Sequence, residues 1–417
     1  MDDLSAIRHA ADIRKKKIWI NLSLLGLCVV ACLGVLLRSK ILFSIPFFDY
    51  NRLLDAHFHF AFSGWVTLAL VTLLVYDVLP EHIHDKPVYQ RLLTGIVLAS
   101  WLQLLSSNLP PNNPLSSLFS TVFIFSTYIF AWVFVKDLRQ AGVSKSVKLL
   151  SIGAIIFLVL ASLGIFWLAY LFATKSLNSG AYRNALYTYL HFEYNGFFTL
   201  AVFALIFNKL ETGMTESAKR RLFQFGWVLC ISVVLSLFLT FLWQDPDIYY
   251  RIIALIGSLS LLFTIGQFML SARQLKEACQ SLYPLPRYMG YLAIAAFLLK
   301  TLLQAFTIFP SMGTAVFGDR PVIIGFLHLV FLGFVSLMML AYFVQYGLLN
   351  LKYGITKIAL VTFTSGIIIN EIVLMTQGLG AMFIKSSYIF PWLLWGISIF
   401  LLLGALLIGI ARMRTNR

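Results

Sequence analysis

The sequence predicts an all-α polytopic membrane protein: twelve transmembrane helices in three pseudo-repeated groups of four. Three observations predict it. Of the 417 residues, 60% are hydrophobic and only 12% are charged, against about 25% charged in an ordinary soluble domain. Twelve continuous apolar runs are long enough to cross roughly 30 Å of hydrocarbon. A ten-residue pattern then recurs in the second, sixth and tenth of them. The scarcity of charge excludes soluble enzymes and disordered chains. Unbroken apolar runs exclude a β-barrel, whose strands alternate polar and apolar residues.

The runs are 18–37, 57–79, 91–108, 115–135, 148–173, 186–207, 222–243, 249–271, 288–309, 322–347, 354–377 and 390–411. Run 1 is too long for a signal-peptide core and no A-x-A site follows it, so it is the first helix. Run 3 is the shortest. No loop can hold a separate domain, so residues 1–417 form a single membrane domain: 1–17 as an N-terminal segment, 18–411 as the bundle, 412–417 as a tail. The net charge of +15 is explained by where it lies. With the N-terminus inside, 23 of the 32 Lys and Arg fall in segments on its side, eight fall on the other, and Lys300 lies within run 9. The positive-inside rule then places both termini in the cytoplasm, at a bacterial cytoplasmic membrane. The lipid bilayer is the expected partner and nucleic acid is not. The four cysteines are too few for a disulfide framework. Cys28 and Cys32 share a helix face, where packing explains them.

Run 2 contains His59-Phe60-Ala61-Phe62-Ser63-Gly64-Trp65-Val66-Thr67-Leu68, run 6 contains His191-Phe192-Glu193-Tyr194-Asn195-Gly196-Phe197-Phe198-Thr199-Leu200, and run 10 contains His328-Leu329-Val330-Phe331-Leu332-Gly333-Phe334-Val335-Ser336-Leu337. The common pattern is His, apolar, any, aromatic, any, Gly, aromatic, apolar, Ser/Thr, Leu. An arginine precedes each histidine by seven or eight residues: Arg52, Arg183 and Arg320. All three runs go from outside to inside, so the histidines share a depth in the outer leaflet. The arginines lie about 11–12 Å higher at 1.5 Å per residue. Gly and Ser/Thr three apart form a small-residue stripe that permits close helix packing, which explains those columns but not the histidines. Ionisable residues inside membrane spans are costly and usually functional. Three at one depth point to ligands, imidazole being the commonest metal ligand and bundle interiors the place where helical proteins hold cofactors.

Two histidines from facing helices can bind a heme iron from both sides. A large apolar macrocycle suits a bundle with 37 Phe, and its anionic propionates suit arginines at the polar edge. Interfacial anchoring is the plainer explanation of those arginines.

These residues resemble subunit I of the heme-copper oxidase superfamily, which has twelve helices in three arcs of four. The resemblance covers the whole chain in helix count and direction, through short motifs. It implies that His59 and His328 are the axial ligands of a low-spin, b-type heme. It implies that His191 with Glu193 matches the family's copper-ligating His-x-Glu. The departures bear on function. Where the family's tenth helix has the high-spin heme ligand, this chain has Phe326. Run 7 has none of the expected histidines. Tyr194 comes three residues after His191, not four. The dioxygen-reducing centre is therefore not expected to assemble, which leaves an oxidoreductase-like fold with an incomplete metal centre. The chain is similar either to a degenerate member of that superfamily or to the NnrS-like group of heme- and copper-containing twelve-helix proteins.

Other polar residues carry less. His57 lies about 200° from His59 on a regular helix, so both cannot face one iron. It replaces His59, binds a second metal or lies at the interface. His82 and His84 fall in the first inner loop, where solvation explains them. Lys300 and Gln304 lie in run 9, and Asn370, Glu371 and Gln377 in run 11. They pair across helices, line a proton path or stabilise the bundle.

The leading expectation is a heme-binding protein for electron transfer, redox sensing or nitric-oxide-related chemistry, supplied by a donor protein or quinol. The alternative is a secondary transporter using Lys300 and Glu371. Such proteins are often two halves of six helices, whereas the period here is four. An active nitric oxide or dioxygen reductase with a metal centre at His191, completed by His57 or Glu193, comes third.

Overall fold

The computed structural model describes the backbone of residues 2–107, 114–382 and 387–415, and the side chains of 13–107, 114–313, 316, 319–381 and 387–414. Arg8, His9 and Arg417 therefore lie outside the residues whose side chains are described. The described chain is helical, with no strand among those residues.

Twelve helices are long and apolar enough to cross a membrane: α1 Ile13–Leu42, α2 Tyr50–Val78, α3 Pro87–Ser106, α4 Pro114–Gln140, α5 Lys145–Ala173, α6 Ser179–Leu210, α7 Glu216–Gln244, α8 Ile248–Ser281, α9 Pro284–Phe306, α10 Arg320–Gln345, α11 Gly354–Ala381 and α12 Ile389–Arg414. Each overlaps one predicted apolar run, with α2, α3, α9 and α10 ending one to three residues before their runs do, and α3 is the shortest at 20 residues. Helix precedes the first run, since the chain is helical from Asp2 to Leu42.

Local chemistry sets the helix starts. The side chain of Asp49 accepts from Arg52 N (3.0 Å) ahead of α2, and that of Asn178 accepts from Ala181 N (2.9 Å) ahead of α6. Ser144 and Thr215 cap α5 and α7 in the same way. Such oxygens satisfy amides that have no partner in the first turn. Pro87 and Pro284 open α3 and α9, where a missing N–H costs nothing. At its far end α7 tightens into a 3₁₀ stretch, Leu237–Gln244, and stops at Asp245 with φ 53°.

The chain divides into two compact units. One comprises Met1–Asp137, Leu340–Val373 and Ser386–Arg417; the other comprises Leu138–Met339 and Leu374–Lys385. In the first, α1 packs on α12 and on α2. Arg412 Nε donates to Asn21 Oδ1 (2.6 Å), Trp395 Nε1 to Ser39 Oγ (2.9 Å) and Cys28 Sγ to Ala405 O (3.2 Å). Gly26 is where α1 meets α2, and a Cβ there would collide with the Gly64 carbonyl. Lys16 Nζ bonds both oxygens of Asp77 at 2.7 Å, and Tyr342 Oη adds a third bond at 3.0 Å.

The second unit has a phenylalanine core. Phe203 lies 5.0 Å from Phe225 and 4.9 Å from Phe297 between ring centroids, with Phe334 5.2 Å from Phe297. Aromatic rings at these separations add specific edge and face contacts to the area that they bury.

The three helices with the repeated pattern are the most buried. The apolar windows of α2, α6 and α10 are 83, 94 and 56% buried, and no other span exceeds 50%. They also carry every π-helical segment among the described residues: Ala61–Thr67 and Leu74–Val78 in α2, His191–Phe198 in α6, and Leu329–Ser336 in α10. π segments are rare and concentrate at functional sites. One begins two residues after His59, one at His191 and one directly after His328. Each contains the glycine of the pattern.

Candidate functional site

In the first unit, His59 is half-buried in the last turn before its π segment. Its ring meets Phe58 edge-on at 5.2 Å. Among the described residues no hydrogen-bond partner meets either of its ring nitrogens. His57 turns towards α1 instead. Its Nδ1 lies 3.1 Å from Val30 O, and its ring edge packs over Gly34. The two histidines therefore have different surroundings, as the 200° separation requires.

In the second unit, His328 is half-buried and its Nδ1 lies 2.8 Å from Ile324 O, one turn back on α10. A carbonyl can only accept, so Nδ1 carries the proton and Nε2 is the lone-pair nitrogen of the neutral ring. Metal-bound histidines are oriented this way, by donating the non-ligating N–H to a carbonyl or carboxylate. Phe326 stands two residues earlier and meets Tyr194 edge-on at 6.0 Å.

His191 is fully buried and belongs to a directed polar chain. Lys300 Nζ donates to Asn195 Oδ1 at 2.7 Å. That fixes the amide, so Asn195 Nδ2 faces His191 Nδ1 at 3.1 Å as a donor. His191 Nδ1 is then the acceptor, and Nε2–H donates to Val233 O of α7 at 2.7 Å. The direction follows from donors and acceptors alone, because an ammonium only donates and a carbonyl only accepts. Both ring nitrogens of His191 are engaged. Among the described residues no three His, Cys, Asp or Glu side chains are grouped to hold a metal. Glu193 is buried two residues along the same π segment.

Lys300 is 3% exposed, and its other neighbour is the Phe297 ring, 5.5 Å from the ammonium. In the first unit, Glu371 accepts from Asn370 Nδ2 at 3.1 Å through Oε1, while its buried Oε2 meets no donor among the described residues. Each of these two expected polar groups thus has an amide neighbour.

The arginines of the pattern all open their helices. Arg52 is the third residue of α2, Arg183 the fifth of α6 and Arg320 the first of α10. The Arg183 guanidinium lies 4.4 Å from the centre of the Trp243 ring, a cation–π contact.

The glycine column is a packing column. A Cβ on Gly196 would collide with Phe157 of α5, and one on Gly333 would press on Ala296 of α9 at 3.3 Å. Thr199 Oγ1 donates to Tyr194 O at 2.7 Å, five residues back, which matches the wider turn of the π segment.

Three groups in these sites were not singled out from sequence as site residues. Asn195 could have been found, because it lies four residues after a buried histidine. Asp77 could have been found as an acid inside an apolar run. The Val233 carbonyl leaves no trace in sequence.

No known family model matches this chain, and no curated protein matches it.

Proposed function

We propose that this chain is a heme-binding integral membrane protein for electron transfer or redox sensing, with His59 and His328 as candidate heme ligands. The observation that carries the proposal is the state of His328: its Nδ1–H is given to Ile324 O, which leaves Nε2 as the basic nitrogen. His59 supports it, since its half-buried ring has no hydrogen-bond partner among the described residues. The π segment at each patterned histidine and the deep burial of those three helices add to that support. When bound, the heme supplies a one-electron redox centre. The chain's part is to orient His328 through the Ile324 carbonyl and to set Arg52, Arg183 and Arg320 at the helix starts as candidate partners for its propionates. The N-terminus is proposed to be cytoplasmic, on the distribution of basic residues. Copper at His191 is not carried forward, because Val233 O and Asn195 hold both of its nitrogens. The test is heme content and the reduced spectrum of the purified chain and its His59→Ala and His328→Ala variants.

A second proposal rests on Glu371 and Lys300. A carboxylate oxygen buried without a donor, and a buried amine held by a neutral amide, suit proton-coupled transport. Substrate-dependent proton flux in proteoliposomes, lost in Lys300→Met and in Glu371→Gln, would favour it.

A further inference from the structure

A cavity of about 170 Å³ lies within the second unit, walled by α6, α7, α9, α10 and the end of α11. Its lining is largely aliphatic and aromatic, including Leu239, Leu303, Phe326 and Leu374. Four hydroxyl-bearing residues and one amide interrupt it: Tyr187, Tyr194, Thr240, Thr307 and Gln304. Both threonine hydroxyls are spent on their own helices: Thr240 donates to Leu237 O and Thr307 to Gln304 O, each at 2.7 Å. Gln304 differs. It is 6% exposed, and its buried Oε1 meets no donor among the described residues.

We propose that this cavity binds a single aromatic ring bearing a hydroxyl, with the hydroxyl donating to Gln304 Oε1. Size supports a ring: an apolar cavity of about 150 Å³ takes up benzene. The lining supports an apolar body, as in small-molecule sites where a few polar groups fix orientation. The unmet acceptor supports a donor on that body. A small free phenol and the ring of a membrane hydroquinone share this chemistry. The proposal stands apart from heme binding, since none of the candidate heme ligands lines the cavity.

The experiment is calorimetric titration of the detergent-purified full chain with p-cresol and with p-xylene, which differ by one hydroxyl in place of a methyl. The wild type should bind p-cresol about tenfold more tightly, the value of one buried hydrogen bond. Gln304→Leu keeps the volume and removes the acceptor, so its preference should fall to parity. Thr240→Leu narrows the cavity without touching Gln304, and should weaken both ligands. Displacement of p-cresol by a short-tailed ubiquinol assigns the site to membrane hydroquinones; binding of p-cresol without displacement assigns it to small phenols. Equal affinities in the wild type, no binding of either ligand, or an unchanged preference in Gln304→Leu overturns the proposal.

Discussion

Lys300 and Asn195, 105 residues apart in sequence, are joined by a 2.7 Å hydrogen bond in the interior of the second unit. No carboxylate shares the ammonium among the described residues. The neutral amide aligns a chain that ends 2.7 Å beyond the His191 ring, at Val233 O. Removing either end of such a pair leaves a buried polar group without its partner, which is costly in a low-dielectric interior.

That bond is tested by a double-mutant cycle. Asn195→Leu strands the amine and should cost about 2–3 kcal/mol, the range for hydrogen bonds to charged groups. Lys300→Met removes the charge together with its need for a partner and should cost less. The double variant should be more stable than the sum predicts, with a coupling of about 1–2 kcal/mol. Thermal unfolding in detergent reads all three. Strict additivity would show that the two side chains act independently.

The glycine column makes a graded prediction. Gly196→Ala drives a Cβ into Phe157 and should destabilise by about 2–3 kcal/mol, as overpacking does. Gly333→Ala meets Ala296 at 3.3 Å and should cost less than about 1 kcal/mol. Phe157→Ala opens a cavity of its own, so its combination with Gly196→Ala should cost less than the two single losses added. Melting temperatures of the four variants rank them, and an equal loss at both glycines would contradict the packing described.

Asp77 accepts from Lys16 through both carboxylate oxygens and from the Tyr342 hydroxyl. The Lys16 and Asp77 side chains are only 15 and 10% exposed. Asp77→Ala should therefore destabilise the first unit by about 3 kcal/mol, since it takes the carboxylate away from a shielded cation. Lys15, whose pairing with Asp85 is far more exposed, should lose under about 1 kcal/mol on substitution by Ala. Chemical denaturation of both variants distinguishes the two.

Orientation is checked through Cys279, which lies in the last turn of α8, ahead of α9. In a variant retaining only this cysteine, a membrane-impermeant maleimide should label it in inverted vesicles and spare it in right-side-out ones. Labelling from the opposite face would reverse the topology assigned from the basic residues.

Much of this architecture was readable from residues in order. The twelve spans follow from apolar length, but the starts of α2 and α6, at Tyr50 and Ser179, precede their apolar runs by seven residues and were not read. The π segments were not readable. A helix buried on every side has no polar face, so α2 and α6 carry no periodic signal that a widened turn would disturb. The three histidines stood out because an ionisable residue recurring at one register is rare in lipid. Their surroundings did not: the choice of Val233 O and Asn195 for His191, and of Val30 O for His57, depends on which helices pack together. Lys300 was conspicuous as a charge within a span, but its partner was not, because an asparagine in an aromatic stretch gives no hint of a lysine three helices later.

The most direct test is the absorption spectrum of the detergent-purified chain, oxidised and dithionite-reduced, with heme quantified per polypeptide. The account predicts close to one heme with a sharp reduced α-band, lost in His59→Ala and in His328→Ala and retained in His191→Ala. A folded chain from a heme-replete host that carries no heme would contradict it, and would leave the buried Lys300 and Glu371 as the groups on which function rests.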